Sequence, residues 1–139
     1  MNEESSRKSI LVVEDERPLL DAIRLKLEKS GFDVVSARTV EQARGYLEDI
    51  PNISAVWLDH YLLGKESGLD FVMGCKADGS RHNSLPIFLV SNTASADKVQ
   101  TYMKLGVNKY YVKAERRLDE IIDDIREELS NTNAEQTSA

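Results

Sequence analysis

Four short apolar runs in this sequence end in side chains that could do chemistry together. Ile10-Leu11-Val12-Val13 runs into Glu14-Asp15-Glu16, and Ala55-Val56-Trp57-Leu58 runs into Asp59-His60-Tyr61. Pro86-Ile87-Phe88-Leu89-Val90 ends at Ser91-Asn92-Thr93, and Tyr110-Tyr111-Val112 at Lys113. Carboxylates gathered at two neighbouring strand ends repel one another if left alone. A hard cation such as Mg²⁺ resolves that repulsion, because it takes oxygen ligands in octahedral geometry and keeps several waters. A lysine and a hydroxyl at adjacent strand ends add donors for an anion. Carboxylates, divalent metal, lysine and hydroxyl are together the requirements of phosphoryl transfer, in which cations neutralise the equatorial oxygens while one carboxylate attacks.

Those residues need a scaffold that brings strand ends together, and the periodicity supplies one. The continuous, β-branched-rich apolar runs are the pattern of strands covered on both faces. Residues 32–36 add a short strand. Between the strands lie helix-period segments. Pro18 opens the first at a position where its missing N–H costs nothing, Leu19, Leu20, Ile23 and Leu27 form its stripe, and Gly31 ends it. Thr39 caps a second helix carrying Val40, Ala43 and Leu47, with Gln42 at capping-box spacing to reach back to the cap. A third helix is expected near residues 69–76 and a fourth over 94–105, stopped by Gly106. Leu118, Ile121, Ile122, Ile125 and Leu129 form the stripe of a fifth. Alternating strands and helices with short connections predict an α/β fold: a doubly wound, five-stranded parallel sheet with helices on both faces. In such sheets, ligands bind at the carboxyl ends of the strands.

Composition narrows the function classes. At 139 residues the chain fits a single domain. With 41% hydrophobic and 30% charged residues, a packed core and a solvated surface can coexist. The 24 acidic against 18 basic side chains argue against a nucleic-acid-binding body, which would cluster Lys and Arg. The single cysteine, Cys75, cannot form an internal disulfide and reads as a small core hydrophobe. His60 and His82 read as exposed loop residues. No apolar stretch is long enough to span a membrane, and residues 1–9 are too polar for a signal peptide. The expected location is cytoplasmic. Residues 1–8 and 130–139 are expected to be flexible termini around a unit at 9–129, which contains no internal repeat.

In this order, the motifs Ile10-Leu11-Val12-Val13-Glu14-Asp15-Glu16, Trp57-Leu58-Asp59, Phe88-Leu89-Val90-Ser91 and Tyr110-Tyr111-Val112-Lys113 resemble the receiver domain of two-component response regulators, over about residues 8–129. The resemblance implies a flavodoxin-like sheet of order 2-1-3-4-5. Asp59 matches the phosphoacceptor, Asp15 a direct Mg²⁺ ligand and Glu14 the acid that acts through metal-bound water. The backbone carbonyl of Tyr61 is implied as a further ligand. Ser91 matches the switch hydroxyl, Lys113 the lysine that pairs with the phosphoryl group, and Tyr110 the aromatic whose rotation reports activation. The implied partners are a sensor histidine kinase or histidine phosphotransfer protein and a downstream protein target, with homodimerisation on phosphorylation as a further option. No direct nucleic-acid contact or membrane insertion is implied.

With few residues after Leu129, the expected function is that of a stand-alone receiver that switches or relays a signal and catalyses only its own phosphorylation and dephosphorylation. Ala114 departs from the proline common after the lysine, leaving the isomer of the preceding peptide open. Leu63 also stands where proline is common, Gly68 lies one residue later than usual, and Glu14 replaces the more frequent Asp. The alternative is a pseudo-receiver that binds a partner without phosphorylation. An Asp-nucleophile phosphatase of the haloacid-dehalogenase type is disfavoured because Tyr61 stands where its second acid belongs. A flavodoxin-like cofactor role is disfavoured because the first strand ends in acids rather than a phosphate-binding loop. Tyr61 and Thr93 match positions that influence hydrolysis of the acyl phosphate, so Tyr61→Ala is expected to shorten the lifetime of the phosphorylated form, measured as its decay by intact mass.

Overall fold

The computed structural model describes residues 7–60, 62, 64, 66–92 and 95–138, with side chains through Ser130. In chain order the elements are β1 (Ser9–Val13), α1 (Arg17–Lys29), β2 (Asp33–Ala37), α2 (Val40–Asp49), β3 (Ile53–Asp59), α3 (Gly68–Lys76), β4 (Ile87–Ser91), α4 (Ala96–Leu105), β5 (Lys109–Val112) and α5 (Leu118–Ser138). All strand pairings are parallel, in the order β2-β1-β3-β4-β5. This is the predicted doubly wound α/β sheet.

Strand side chains alternate between faces, so each apolar run feeds two cores. Ile10, Val12, Trp57, Phe88, Val90 and Tyr111 pack under α1 and α5. Leu11, Val13, Val56, Leu58, Ile87 and Leu89 pack under α2, α3 and α4. Cys75 is buried in the second core as a free thiol, pushed up to about 11 by burial.

Helix boundaries follow their local chemistry. Pro18 lies in the first turn of α1, and Gly31 takes a φ of +98° past its end, a conformation that favours glycine. Gly106 closes α4 in the same way, with φ +102°. The Phe32 N–H donates to the Leu27 carbonyl, which keeps Phe32 in the α1 closure; β2 therefore starts at Asp33, one residue later than predicted. The Thr39 hydroxyl accepts from the Gln42 N–H at 3.1 Å. The Gln42 amide oxygen accepts from Arg38 N–H at 2.8 Å rather than from the Thr39 cap itself. The start expected for α4 at residue 94 lies outside the described residues. The backbone of α5 continues to Ser138, past the boundary expected at 129. Extending an existing helix avoids the cost of nucleation, so the backbone continues past the apolar stripe. No helix among the described residues is long and apolar enough to cross a membrane.

Candidate functional site

Parallel pairing sets the carboxyl ends of the strands side by side. Val13 pairs with Leu58, Asp59 with Val90, and Ser91 with Val112. The next residues out of β1 and β5, Glu14 and Lys113, therefore reach the same end of the sheet as Asp59. Ligand oxygens of Glu14, Asp15 and Asp59 all lie within 4.8 Å of one another. Lys113 Nζ donates to Glu14 Oε1 at 3.2 Å and to Asp59 Oδ2 at 3.3 Å. Glu14 and Asp59 are 1% and 4% exposed, so these charges are held in a poorly solvated place. The Lys113–Ala114 peptide is trans, and the lysine reaches both carboxylates from the 3₁₀ turn Lys113–Glu115.

The electrostatics follow from that confinement. Burial pushes the Glu14 carboxyl up to about 7; the Glu16 N–H, donating at 3.0 Å, opposes this, Asp59 adds to it and Lys113 opposes it. For Lys113 burial acts downward, but the charges of Asp59 and Glu14 outweigh it and hold the ammonium above its usual range. The donor set consists of hard carboxylate oxygens in excess of the one lysine charge, which fits a small divalent cation such as Mg²⁺. Glu14, Asp15 and Asp59 would hold it. Protons compete with metal at Glu14, so Mg²⁺ affinity is expected to rise with pH up to about 7 and then level off, as isothermal titration calorimetry would show. In the metal-free protein the sign for stability is opposite. With its folded value raised above the ordinary 4.5, the Glu14 contribution is fully present below 4.5 and lost as pH rises to about 7.

The remaining predicted residues are distributed unevenly. Ser91 is fully buried at the end of β4, beside the strand that carries Asp59. Tyr110 is half-buried on β5, packed on the α2–α4 side of the sheet. The expected carbonyl ligand from Tyr61, and the readings on Leu63 and Thr93, lie outside the described residues. Neither histidine is an exposed loop residue. His60 is half-buried, hydrogen-bonded through Nδ1 to the Tyr102 hydroxyl, and burial followed by Lys98 holds it below its usual range. His82 is also half-buried, and its backbone N–H donates to Ser80 Oγ at 3.1 Å.

Of two further neighbours of the site, Arg38 has no place in the sequence reading and Gly68 enters it only through its spacing. Arg38, just past β2, donates through Nε and Nη2 to the Asp15 carbonyl at 3.2 and 2.9 Å, pinning the connection that carries the acids. Its position immediately after a strand was the available signal. Gly68 opens α3 with its N–H donating to the His60 carbonyl at 2.9 Å. A Cβ there would stand 2.6 Å from the Asp59 carbonyl oxygen and 3.0 Å from His60 Cα. Gly68→Ala is therefore expected to cost about 1–3 kcal/mol, as overpacking against backbone does. Urea unfolding would read this as a lowered midpoint.

A model of the response regulator receiver domain matches residues 10–126, from the strand before the acids to the last helix. The chain belongs to this family. Among receiver-containing relatives, it is 33% identical to the transcriptional regulatory protein CpxR of Escherichia coli over 104 residues, covering 75% of this chain and 42% of that protein. It is 27% identical to the two-component response regulator PprB of Pseudomonas aeruginosa over 114 residues, covering 81% of this chain and 41% of the relative. The chain thus spans about two fifths of the length of these curated relatives. The crystal structure of a response regulator receiver protein from Pseudomonas putida superposes with a TM-score of 0.78 at 31% identity, covering 91% of this chain and 98% of that one. A CheY-like receiver domain from Methanospirillum hungatei shares the fold, with a TM-score of 0.83 over 94% of this chain and 99% of its own, at 22% identity. Phosphorylation and Mg²⁺ binding at an acidic pocket are general to receiver domains, and this chain has an acidic cluster of Glu14, Asp15 and Asp59 at the ends of β1 and β3.

Proposed function

We propose that this receiver takes a phosphoryl group onto Asp59 from a phosphohistidine on a sensor kinase or histidine phosphotransfer protein, and passes the change to a protein partner. One observation carries the reading: Asp59 shares a 4.8 Å cluster with Glu14 and Asp15 and has Lys113 Nζ 3.3 Å from Oδ2. A carboxylate oxygen of Asp59 attacks phosphorus, the phosphorus–nitrogen bond of the donor breaks, and its electron pair leaves with the imidazole. Mg²⁺, when bound, supplies charge neutralisation for the transferring oxygens. Glu14 and Asp15 hold it at the site. Lys113 pairs with the phosphoryl oxygens after transfer, and Ser91 supplies the hydroxyl that draws toward them. Tyr110 reads the rearrangement.

The receiver unit of this proposal spans 9–129 and catalyses only its own modification and its reversal. It acts in a reducing cytoplasm, which suits the free Cys75 thiol. The output is a pre-existing equilibrium biased by the new charge. Incubation with acetyl phosphate and Mg²⁺, read by intact mass, is expected to give a single phosphoryl adduct that EDTA prevents. Folded protein that takes no adduct would instead be a pseudo-receiver, and capture of its partner would be independent of phosphorylation.

A further inference from the structure

His60 directly follows the proposed phosphoacceptor, and its imidazole meets α4 at Tyr102. The Tyr102 hydroxyl is hydrogen-bonded to His60 Nδ1, and the rings meet edge-on, with centroids 5.6 Å apart at 89°. Tyr102 is 1% exposed, on an otherwise largely exposed helix. Its ring also packs on Tyr110, centroids 6.0 Å apart at 50°. Three rings therefore link the residue after Asp59 to the half-buried tyrosine of β5. The connection is closely packed at its near end: a Cβ on Gly68 would lie 3.3 Å from the Tyr102 hydroxyl and 2.6 Å from the Asp59 carbonyl oxygen.

We propose that Tyr102 is a positioning residue, tying His60, the residue after Asp59, to α4 and handing displacement of His60 on to the Tyr110 ring. This rests on the reading of Asp59 as phosphoacceptor. Phenylalanine would fill the same apolar space at position 102, so the hydroxyl is the part that packing alone does not require. Separating the buried hydroxyl from the half-buried imidazole gives up their hydrogen bond, which is costly, so the two move together. Close-packed rings then transmit that movement rather than absorb it. Coupling of this kind is reciprocal: what helps Asp59 modification move Tyr110 also helps the Tyr110 position favour modification.

The test follows the Tyr110 ring by NMR in protein carrying ¹³C-labelled tyrosine, titrated with acetyl phosphate in Mg²⁺. In the wild type the Tyr110 signal is expected to shift as the adduct forms. Tyr102→Phe is expected to raise the midpoint about five- to tenfold, the lower range of allosteric couplings, and to shrink the shift. His60→Asn, whose amide can stand in for Nδ1, is expected to keep the response, whereas His60→Leu weakens it to the same extent as Tyr102→Phe. The double variant His60→Leu/Tyr102→Phe is expected to be no worse than either single one, because both remove one interaction. A wild-type response in Tyr102→Phe, or losses that add in the double variant, would overturn the proposal. If the wild type takes no phosphoryl group, the phosphoacceptor reading fails and Mg²⁺ alone becomes the probe. A Mg²⁺-induced Tyr110 shift that Tyr102→Phe removes then supports the linkage; one that persists, or no wild-type shift with either probe, overturns it.

Discussion

Asp59→Asn is expected to take up no phosphoryl group from acetyl phosphate in Mg²⁺, where the wild type takes one. The amide removes the attacking oxygen's charge, and no other carboxylate of the cluster has the same surroundings. Glu14 is tied to the Glu16 N–H and, with Asp59, to Lys113, while Asp15 is held at its carbonyl by Arg38. The substitution also lowers the cluster's negative charge beside Glu14, whose carboxyl is raised partly by Asp59. Metal-free Asp59→Asn should therefore unfold at a temperature no lower than the wild type, and this separates lost chemistry from lost structure. Adduct formation in the variant at the wild-type rate would move the phosphoacceptor elsewhere.

Lys113→Met is expected to destabilise the metal-free protein by about 2 kcal/mol, or roughly 6–10 °C in Tm. Removing one member of a buried ion pair leaves the others uncompensated, at a typical cost of about 3–5 kcal/mol. Two features reduce it here. The lysine side chain is 18% exposed, and Glu14, already raised to about 7, can take up a proton in place of the lost cation. Saturating Mg²⁺ replaces that positive charge, and ligand at about a hundred times its Kd contributes about 2.7 kcal/mol. The Tm difference between variant and wild type should accordingly narrow in Mg²⁺ and widen in EDTA. An equal difference in both would reduce Lys113 to a packing role. Asp59 remains in the variant, so phosphorylation should still occur while the Tyr110 response to it weakens.

Much of this arrangement was legible before the fold was known. The apolar runs before Glu14, Asp59, Ser91 and Lys113 are strands because both faces of the sheet are covered, so each run shows no polar interruption until the strand leaves the core. That exit is also where a parallel sheet presents its site, so the first polar residue after each run is a functional candidate. The reading faltered where local hydrogen bonding decides. The apolar pattern puts Phe32 in a strand, yet it closes α1; the Gln42 oxygen serves Arg38 rather than the expected cap.

By itself the sequence determined the strand ends, the helix stripes and which residue types meet at one pole, because these follow from periods of two and 3.6 and from parallel pairing. The tertiary structure alone decided the pairs that no period encodes. Arg38 reaches the Asp15 carbonyl, and His60 is bonded to a tyrosine 42 positions away rather than lying exposed. Tyr102 occupies one position of an ordinary amphipathic helix, where an aromatic signals only burial. Its hydroxyl gains a partner because α4, packed beside α3 and β5 on one face of the sheet, brings position 102 against the residue after Asp59.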